Sequence, residues 1–166
     1  DSVNRFLGHA MKGLTAKVFR THHATATVKH HLSKRNGFKA EEPPFVKLHH
    51  ARMANLEAAV RCNHKRTPPK TWESSLQKKQ LRLTELSTKP VKTEKQAERL
   101  RQRVEKLKLD LELQKKTRDY NLNTSLRNYI DPRVYKSWAN KAEFDWKSIY
   151  SRTLQRKFLW ATRAKA

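Results

Sequence analysis

Acidic residues, glycine, cysteine and long apolar runs are all scarce in this sequence. Its 166 residues include 15 Asp and Glu against 38 Lys and Arg, so the formal net charge is +23. An excess of this size predicts a polyanionic partner, with nucleic acid first and an anionic membrane surface second. No apolar stretch approaches the roughly 18 residues of a membrane span. The sequence therefore predicts no membrane-spanning helix.

Cys62 is the single cysteine, which excludes an internal disulfide and fits a reducing compartment. With three glycines and no strand-like alternation of any length, the sequence favours an all-α fold. Six Phe, four Tyr and four Trp distinguish it from a disordered basic tail, because these side chains can form a core. The sequence begins at Asp1, without Met and almost within an amphipathic pattern, so we expect part of a longer or processed protein.

Three helices are predicted in the first 70 residues. Ser2 is the expected cap of a short helix that Gly13 terminates. Thr15 is the expected cap of a second helix over 16–32, and a turn-rich connection separates it from a third over 45–61. The apolar positions expected on the third helix are Val46, Ala51, Met53, Leu56 and Val60.

An antiparallel coiled-coil hairpin is predicted over residues 73–115. Its first apolar series is Trp72, Leu76, Leu83 and Leu86, with Lys79 in the one missing slot, and its second is Ala97, Leu100, Val104, Leu107 and Leu111. Alternating steps of three and four residues are typical of a coiled-coil seam. The segment "STKP" predicts a short loop between the arms. Because the other positions are mostly charged, we expect the hairpin to protrude.

The C-terminal region predicts short helices around an aromatic core. Asp131 and Pro132 indicate a helix start, as the cap and the first residue. The expected core residues are Trp138, Phe144, Trp146, Ile149, Tyr150, Leu154, Phe158 and Trp160.

Two basic strings are candidates for phosphate binding. Arg20 follows a Gly-Leu-Thr helix start and lies near Lys17, and a helix N-terminus with such cations suits a phosphate. His64 stands at a helix end beside Lys65 and Arg66. It is either structural or a hydrogen-bond donor to a phosphate oxygen.

Tyr129 has three possible roles: a core aromatic, a platform on which bases stack, or a nucleophile. It lies outside any apolar periodicity, between Arg127 and Arg133. A phenol has a pKa near 10, so it attacks a phosphate only where nearby cations favour the phenolate.

Histidine doublets occur at 22–23, 30–31 and 49–50. None belongs to a zinc-binding pattern such as HExxH or a pair of CxxC motifs, so we predict no metal site. We expect the doublets to extend the basic surface that faces nucleic acid.

Three stretches resemble the C-terminal part of eukaryotic-type type IB DNA topoisomerases. They are "GLTAKVFRT" at 13–21, "CNHKRTPPKTW" at 62–72 and "NYIDPR" at 128–133, in the family's order. The ending "SIYSRTLQRKFLWA" is similar to the family's closing helix. Tyrosine recombinases share the chemistry but do not normally carry this linker.

The resemblance implies three regions: the C-terminal part of a catalytic core over 1–70, a coiled-coil linker over 71–118, and a tyrosine-bearing C-terminal domain over 119–166. It implies relaxation of supercoiled double-stranded DNA through a 3′-phosphotyrosyl link to Tyr129, with Arg20 and His64 on the phosphate oxygens and no cofactor or metal. The implied DNA contacts are Lys17, Lys65, Arg66, Arg127, Asn128 and Arg133.

The family's catalytic set also includes another arginine and a lysine general acid, which lie upstream of the matched stretches. The resemblance therefore implies an upstream core portion as partner, on the same polypeptide or a separate chain, and a nuclear or chromosomal location. A mitochondrial location, or a chromosome in an archaeal cytoplasm, is the alternative. The competing functions are a non-catalytic, basic coiled-coil module that binds nucleic acid, and a tyrosine recombinase.

Overall fold

The computed structural model of the chain describes residues 2–34 and 41–163, and within these ranges it is all-α, as predicted. The eight α-helices are α1 Ser2–Ala10, α2 Ala16–Lys34, α3 Pro44–Arg61, α4 Trp72–Ser87, α5 Glu94–Lys116, α6 Leu122–Asn128, α7 Pro132–Lys141 and α8 Arg152–Lys157. Two 3-10 helices, Trp146–Ile149 and Leu159–Thr162, complete the described ranges. None of these helices is long and apolar enough to cross a membrane.

Local signals explain several helix boundaries. Asp131 caps α7 by accepting a hydrogen bond from the Arg133 N–H at 2.9 Å, and Pro132 is the first helical residue, as predicted. Gly13 has a φ of +84°, a left-handed conformation suited to glycine, and it separates α1 from α2. Ser2 lies within α1 rather than capping it. The predicted connection around Gly37 falls mainly in 35–40, outside the described residues.

We call the described helices other than α4 and α5 the body of the protein. Helix α3 lies at its centre and packs against α2, α6 and the first 3-10 helix, and also against α5. Its buried face includes Ala51 and Leu56, as predicted, whereas Val60 is 47% exposed. The additional buried residues are Ala54, Ala58 and Ala59. Alanine has almost no side chain to separate two helices. The apolar residues that α2 buries are Ala24, Val28 and Leu32.

An aromatic cluster joins the C-terminal region to this helix pair. Tyr135 is fully buried, and its hydroxyl donates a hydrogen bond to the Ala51 carbonyl at 3.1 Å. Burial raises the pKa of the Tyr135 phenol. Its ring meets that of Tyr150 edge-on at a centroid distance of 6.1 Å, and Tyr150 packs in turn on Phe158. Tyr135 thus serves in packing.

Helices α4 and α5 form the predicted antiparallel hairpin. Near the end of α5, Gln114 accepts a hydrogen bond from Lys79 Nζ at 2.7 Å and donates one to the Trp72 carbonyl at the start of α4. Among the predicted seam residues, Leu76 and Leu111 are buried and the others are only partly buried.

The base of the hairpin docks on the body. His49 Nε2 of α3 lies 3.3 Å from Glu112 Oε2 of α5. Leu113 of α5 and Arg52 of α3 line a shared cleft of about 260 Å³. The base of the hairpin therefore does not protrude, and protrusion stays a prediction for the part beyond this contact.

Candidate active site

Tyr129 follows α6 directly and is half-buried at the edge of the core. Its ring contacts two of the residues selected from the sequence. The Arg20 guanidinium carbon lies 5.1 Å from the ring centroid. The His64 ring centroid lies 5.0 Å away, with the two planes inclined by 34°. Three residues that are far apart in the chain thus meet at one place.

Arg20 is exposed, yet its guanidinium is held in one orientation. It lies in the second turn of α2 and donates from Nη2 to the Cys62 carbonyl at 2.7 Å, where α3 ends. A guanidinium has five N–H donors in a planar fork. This bond orients the group and leaves further donors for a ligand.

His64 occupies a tight turn after α3. Asn63 has a left-handed φ of +55°, and the His64 N–H donates to the Ala59 carbonyl at 2.8 Å. The His64 side chain is buried, and neither ring nitrogen has a hydrogen-bond partner among the described residues. A buried polar group without a partner is costly unless a ligand supplies one.

Burial favours the neutral form of the His64 ring. Burial, followed by the nearby Arg20 charge, lowers its pKa below the usual 6.5. At pH 7 the ring therefore has one N–H donor and one acceptor nitrogen. A neutral imidazole beside a fixed guanidinium offers two kinds of donor to an anion.

The residues beside His64 fasten the two ends of the hairpin together. Lys65 and Tyr120 form an isolated antiparallel bridge, and the Asn121 N–H donates to the His64 carbonyl at 2.8 Å. The Arg66 guanidinium donates to the Thr117 carbonyl at 3.2 Å, just after α5. A cation at a helix C-terminus also complements the helix dipole.

Some predicted DNA contacts have partners within the protein, which the sequence did not indicate. Arg66 binds backbone carbonyls at the end of α5. Arg133 Nε lies 3.0 Å from both Asp131 carboxylate oxygens, and its guanidinium carbon lies 5.8 Å from the Trp160 ring centroid. This ion pair lowers the pKa of Asp131. The other predicted contacts are exposed at the surface: Lys17, Lys65, Arg127 and Asn128.

The histidine doublets divide between surface and interior. His22, His23 and His30 are exposed, as a surface facing nucleic acid requires. His31 instead packs between helices, with Nδ1 2.7 Å from Glu57 Oε1 and its ring 4.8 Å from that of His50. No cluster of three or more metal-ligating side chains occurs in the parts of the chain that the structure describes.

Three polar residues around α6 and Tyr129 were not identified from the sequence: Thr25, Asn55 and Ser125. The Thr25 hydroxyl donates to the Tyr129 carbonyl at 3.3 Å. The fully buried Ser125 hydroxyl donates to Asn55 Oδ1 at 2.7 Å. Thr25 is 104 residues from Tyr129, and Asn55 is 70 from Ser125, so no local pattern indicates either pair.

Two family models together match nearly the whole chain. Residues 1–98 match the model described as "Eukaryotic DNA topoisomerase I, catalytic core". This chain belongs to the eukaryotic DNA topoisomerase I family. Residues 101–166 match the model described as "C-terminal topoisomerase domain", so the two topoisomerase matches meet within α5.

Individual topoisomerases are similar over 96% of the chain. DNA topoisomerase 1 of Drosophila melanogaster is 36% identical over 174 residues, which cover 17% of the fly protein. The human DNA topoisomerase 1 is 33% identical over 185 residues, or 24% of its length. "DNA topoisomerase I, mitochondrial" of Pan troglodytes is 32% identical over 186 residues, or 31% of its length. The chain thus spans between a sixth and a third of these relatives.

Proposed function

We propose that this chain is the C-terminal part of a type IB DNA topoisomerase, which relaxes supercoiled double-stranded DNA through transient cleavage of one strand. The observation that carries the proposal is the contact of Tyr129 with both Arg20 and His64. A nucleophile, a fixed cation and a neutral donor are what transfer of a phosphodiester to a phenol requires. Family membership supports the same reaction.

In the proposed cleavage step, Tyr129 Oη attacks a DNA phosphorus. A bond forms between the phenolic oxygen and phosphorus while the bond from phosphorus to the 5′ oxygen breaks. The phenol gives its proton to water, and the leaving 5′ oxygen takes one from a general acid outside this chain. The 3′-phosphotyrosyl ester preserves a phosphodiester, so no ATP is consumed. After rotation, the free 5′-hydroxyl attacks the ester and releases Tyr129.

Arg20 and His64 act on the phosphate in this scheme. Their N–H groups donate to the non-bridging oxygens as charge builds at phosphorus, and each preorganised donor is worth about 3–4 kcal/mol. The bond from Arg20 to the Cys62 carbonyl reduces the reorganisation needed in the reaction. The N–H of the His64 ring, which has no hydrogen-bond partner among the described residues, gains one when the phosphate binds.

The proposed DNA contacts differ in how freely they can reach a phosphate. Lys17, Lys65, Arg127 and Asn128 are exposed, and a phosphate can approach them directly. Arg66 and Arg133 would share their guanidinium groups with carbonyls or a carboxylate of the protein. We expect binding that depends steeply on salt and little on sequence.

We propose that the chain works with an upstream core portion that supplies another arginine and a lysine general acid. Helix α1 supports this partner, because it buries none of its residues and exposes Val3, Phe6 and, just beyond it, Met11. An apolar patch of this kind marks an interaction site. In this scheme 1–70 complete the core, 71–118 form the linker and 119–166 carry the nucleophile.

The location that fits this function is the nuclear chromosome. One relative carries the word mitochondrial in its name, so the mitochondrial chromosome is the alternative. Fluorescent tagging of the full-length protein and co-staining of both DNA pools would decide between them.

The proposal is tested by covalent capture in the full-length enzyme. The substrate is a duplex nicked near the cleavage position, so that the short fragment carrying the 5′-hydroxyl diffuses away and the covalent complex accumulates. Tyr129→Phe should abolish capture and change the DNA Kd by less than about twofold, because only the attacking oxygen is removed. Tyr120→Phe is the matched control, since the bridge of Tyr120 to Lys65 is made by the backbone.

Capture by the Tyr129→Phe enzyme would disprove the assignment of the nucleophile. A wild-type enzyme that binds the duplex without ever forming the complex would instead support the non-catalytic binding module. Strand joining between two paired duplexes, rather than relaxation of one, would support the recombinase.

A further inference from the structure

The backbone on either side of Ile130 is bound to one hydroxyl group. Thr25 Oγ1 donates to the Tyr129 carbonyl at 3.3 Å and accepts from the Asp131 N–H at 3.1 Å. A single side chain thus fixes a carbonyl before Ile130 and an amide after it. These two bonds fix the orientation of the peptide that follows Tyr129.

Thr25 belongs to the same helix as the proposed phosphate-binding arginine. Arg20 and Thr25 both lie in α2, five positions apart, which is about 7.5 Å along the helix axis. Because an α-helix is stiff over this distance, a bond from Thr25 to the Tyr129 backbone fixes the phenol relative to the guanidinium. The ring of Tyr129 and the cation of Arg20 are indeed in contact.

A second anchor holds the same backbone from α3. The Ser125 carbonyl accepts the N–H groups of Tyr129 and Ile130 at 2.9 and 3.0 Å. The Ser125 hydroxyl binds Asn55, which lies in the helix that leads to His64. The α3 anchor is independent of Thr25, so α6 can stay folded when the Thr25 hydroxyl is removed.

We propose that Thr25 is a positioning residue for the phosphoryl transfer, which holds the Tyr129 nucleophile at a fixed position relative to Arg20. This inference rests on the proposed function. Thr25 itself touches neither the phosphate nor the attacking oxygen in this scheme. A misplacement of about 1 Å in a reacting group can reduce a rate by about 100-fold.

The test compares single-turnover rates of the full-length enzyme on the nicked duplex. Thr25→Val removes the hydroxyl with little change of shape, and it should slow covalent capture by about 10- to 100-fold. Thr25→Ser retains the hydroxyl and should restore the rate to within about threefold of wild type. Thr27→Val is the matched control. The Thr27 hydroxyl donates to the His23 carbonyl within α2, so this substitution should leave the rate unchanged.

Two readouts separate positioning from a loss of folded enzyme. A positioning defect lowers the rate constant while the final amplitude of capture and the DNA Kd stay near wild type. Misfolding lowers the amplitude instead. Religation by an added 5′-hydroxyl strand should slow together with cleavage, because the two directions share one transition state.

Wild-type rates in Thr25→Val, or equally slow Thr25→Val and Thr25→Ser enzymes, would overturn the inference. Should Thr25→Val not fold, Thr25→Ala and Thr25→Ser give the same comparison, and equal rates would again overturn it. The Tyr129→Phe enzyme keeps the two proposals apart. Capture without the phenol refutes the nucleophile, whereas normal capture by Thr25→Val in an enzyme that requires Tyr129 refutes only the role of Thr25.

Discussion

The α2–α3 pair and the α4–α5 hairpin are both two-helix packings, but different side chains hold them together. Alanines dominate the first interface, where Ala24, Ala51 and Ala58 are fully buried. The hairpin seam consists mainly of larger apolar residues, of which only Leu76 and Leu111 are buried. A small-residue interface allows little relative movement, so this pair fixes Arg20 on α2 relative to His64 in the turn after α3.

Local interactions compensate for the thin core of the hairpin. Arg101 pairs with Glu94 and Glu98, and Lys116 pairs with Glu112, all within α5. Such exposed pairs on one helix contribute about 0.3–0.5 kcal/mol each. The hairpin is thus stabilised by pairs close together in sequence, whereas the body depends on contacts between distant parts of the chain.

The largest expected effect comes from Tyr135, the biggest fully buried side chain among the described residues. Tyr135→Ala should lower the free energy of unfolding by about 3–5 kcal/mol, because it leaves a cavity and removes the bond to the Ala51 carbonyl. Urea unfolding followed by circular dichroism measures the change. Leu83→Ala in the partly exposed seam should lower the free energy of unfolding by less than half as much as Tyr135→Ala. Equal costs would contradict the contrast between body and arm.

Acidification should weaken the body by a smaller amount. Burial is the main cause that lowers the pKa of both His49 and His64 below 6.5. The folded protein then binds fewer protons than the unfolded chain, so the free energy of unfolding falls as pH drops below about 6.5. Urea unfolding at pH 7 and pH 5.5 measures this, above the range in which Glu112, with its lowered pKa, titrates.

His49→Gln provides the control for that pH effect, because it removes one of the two titrating groups. It should reduce the decrease in the free energy of unfolding between pH 7 and pH 5.5. The distal hairpin, 83–104, contains no histidine, so the corresponding peptide should show no change in helicity between the two pH values. A protein that became more stable at pH 5.5 would contradict the prediction.

A modest gain is expected from Lys79, the polar residue in the hairpin seam. Lys79→Leu should raise the free energy of unfolding by up to about 1 kcal/mol, since a charged seam residue specifies register at a cost in stability. The exposed Lys78→Leu is the control and should change little. Thermal unfolding of the two variants tests this. A loss of stability in Lys79→Leu would show that its bond to Gln114 outweighs the apolar gain.

The smallest expected effect on the body is that of removing the distal hairpin. Replacing 83–104 with a short glycine–serine turn retains the contact of His49 with Glu112. The free energy of unfolding should change by less than about 1 kcal/mol, and covalent capture should persist while the rate of supercoil relaxation changes. Abolished capture would show that the distal arm supports the active site.

Periodicity and capping chemistry predict much of the fold. The spacing of Leu76, Leu83, Val104 and Leu111 predicts the coiled-coil seam, and the short loop at "STKP" predicts the antiparallel pairing of its two helices. Asp131-Pro132 predicts the start of α7. These features depend on residues close together in sequence. The candidate site followed from three strings that resemble one family, and the structure shows their central residues in contact.

Pairings between distant residues explain what the sequence did not indicate. Lys47 is only 2% exposed, although its charge suggests the surface, and Asn55 is buried beside Ser125. Val60 faces solvent because α2 packs on the neighbouring alanine face of α3. The burial of each of these residues depends on which helix packs against it, and the residues nearby in the sequence do not indicate that helix.

The bridge between Lys65 and Tyr120 has a consequence for how this protein tolerates change. Because the polypeptide leaves the body and returns to it side by side, the arm behaves as a self-contained insertion. We therefore expect that whole heptads can be added or removed, or a reporter domain inserted at the tip, without altering the separation of His64 and Tyr129. The length of the hairpin could then vary while the helices that form the active site stay unchanged.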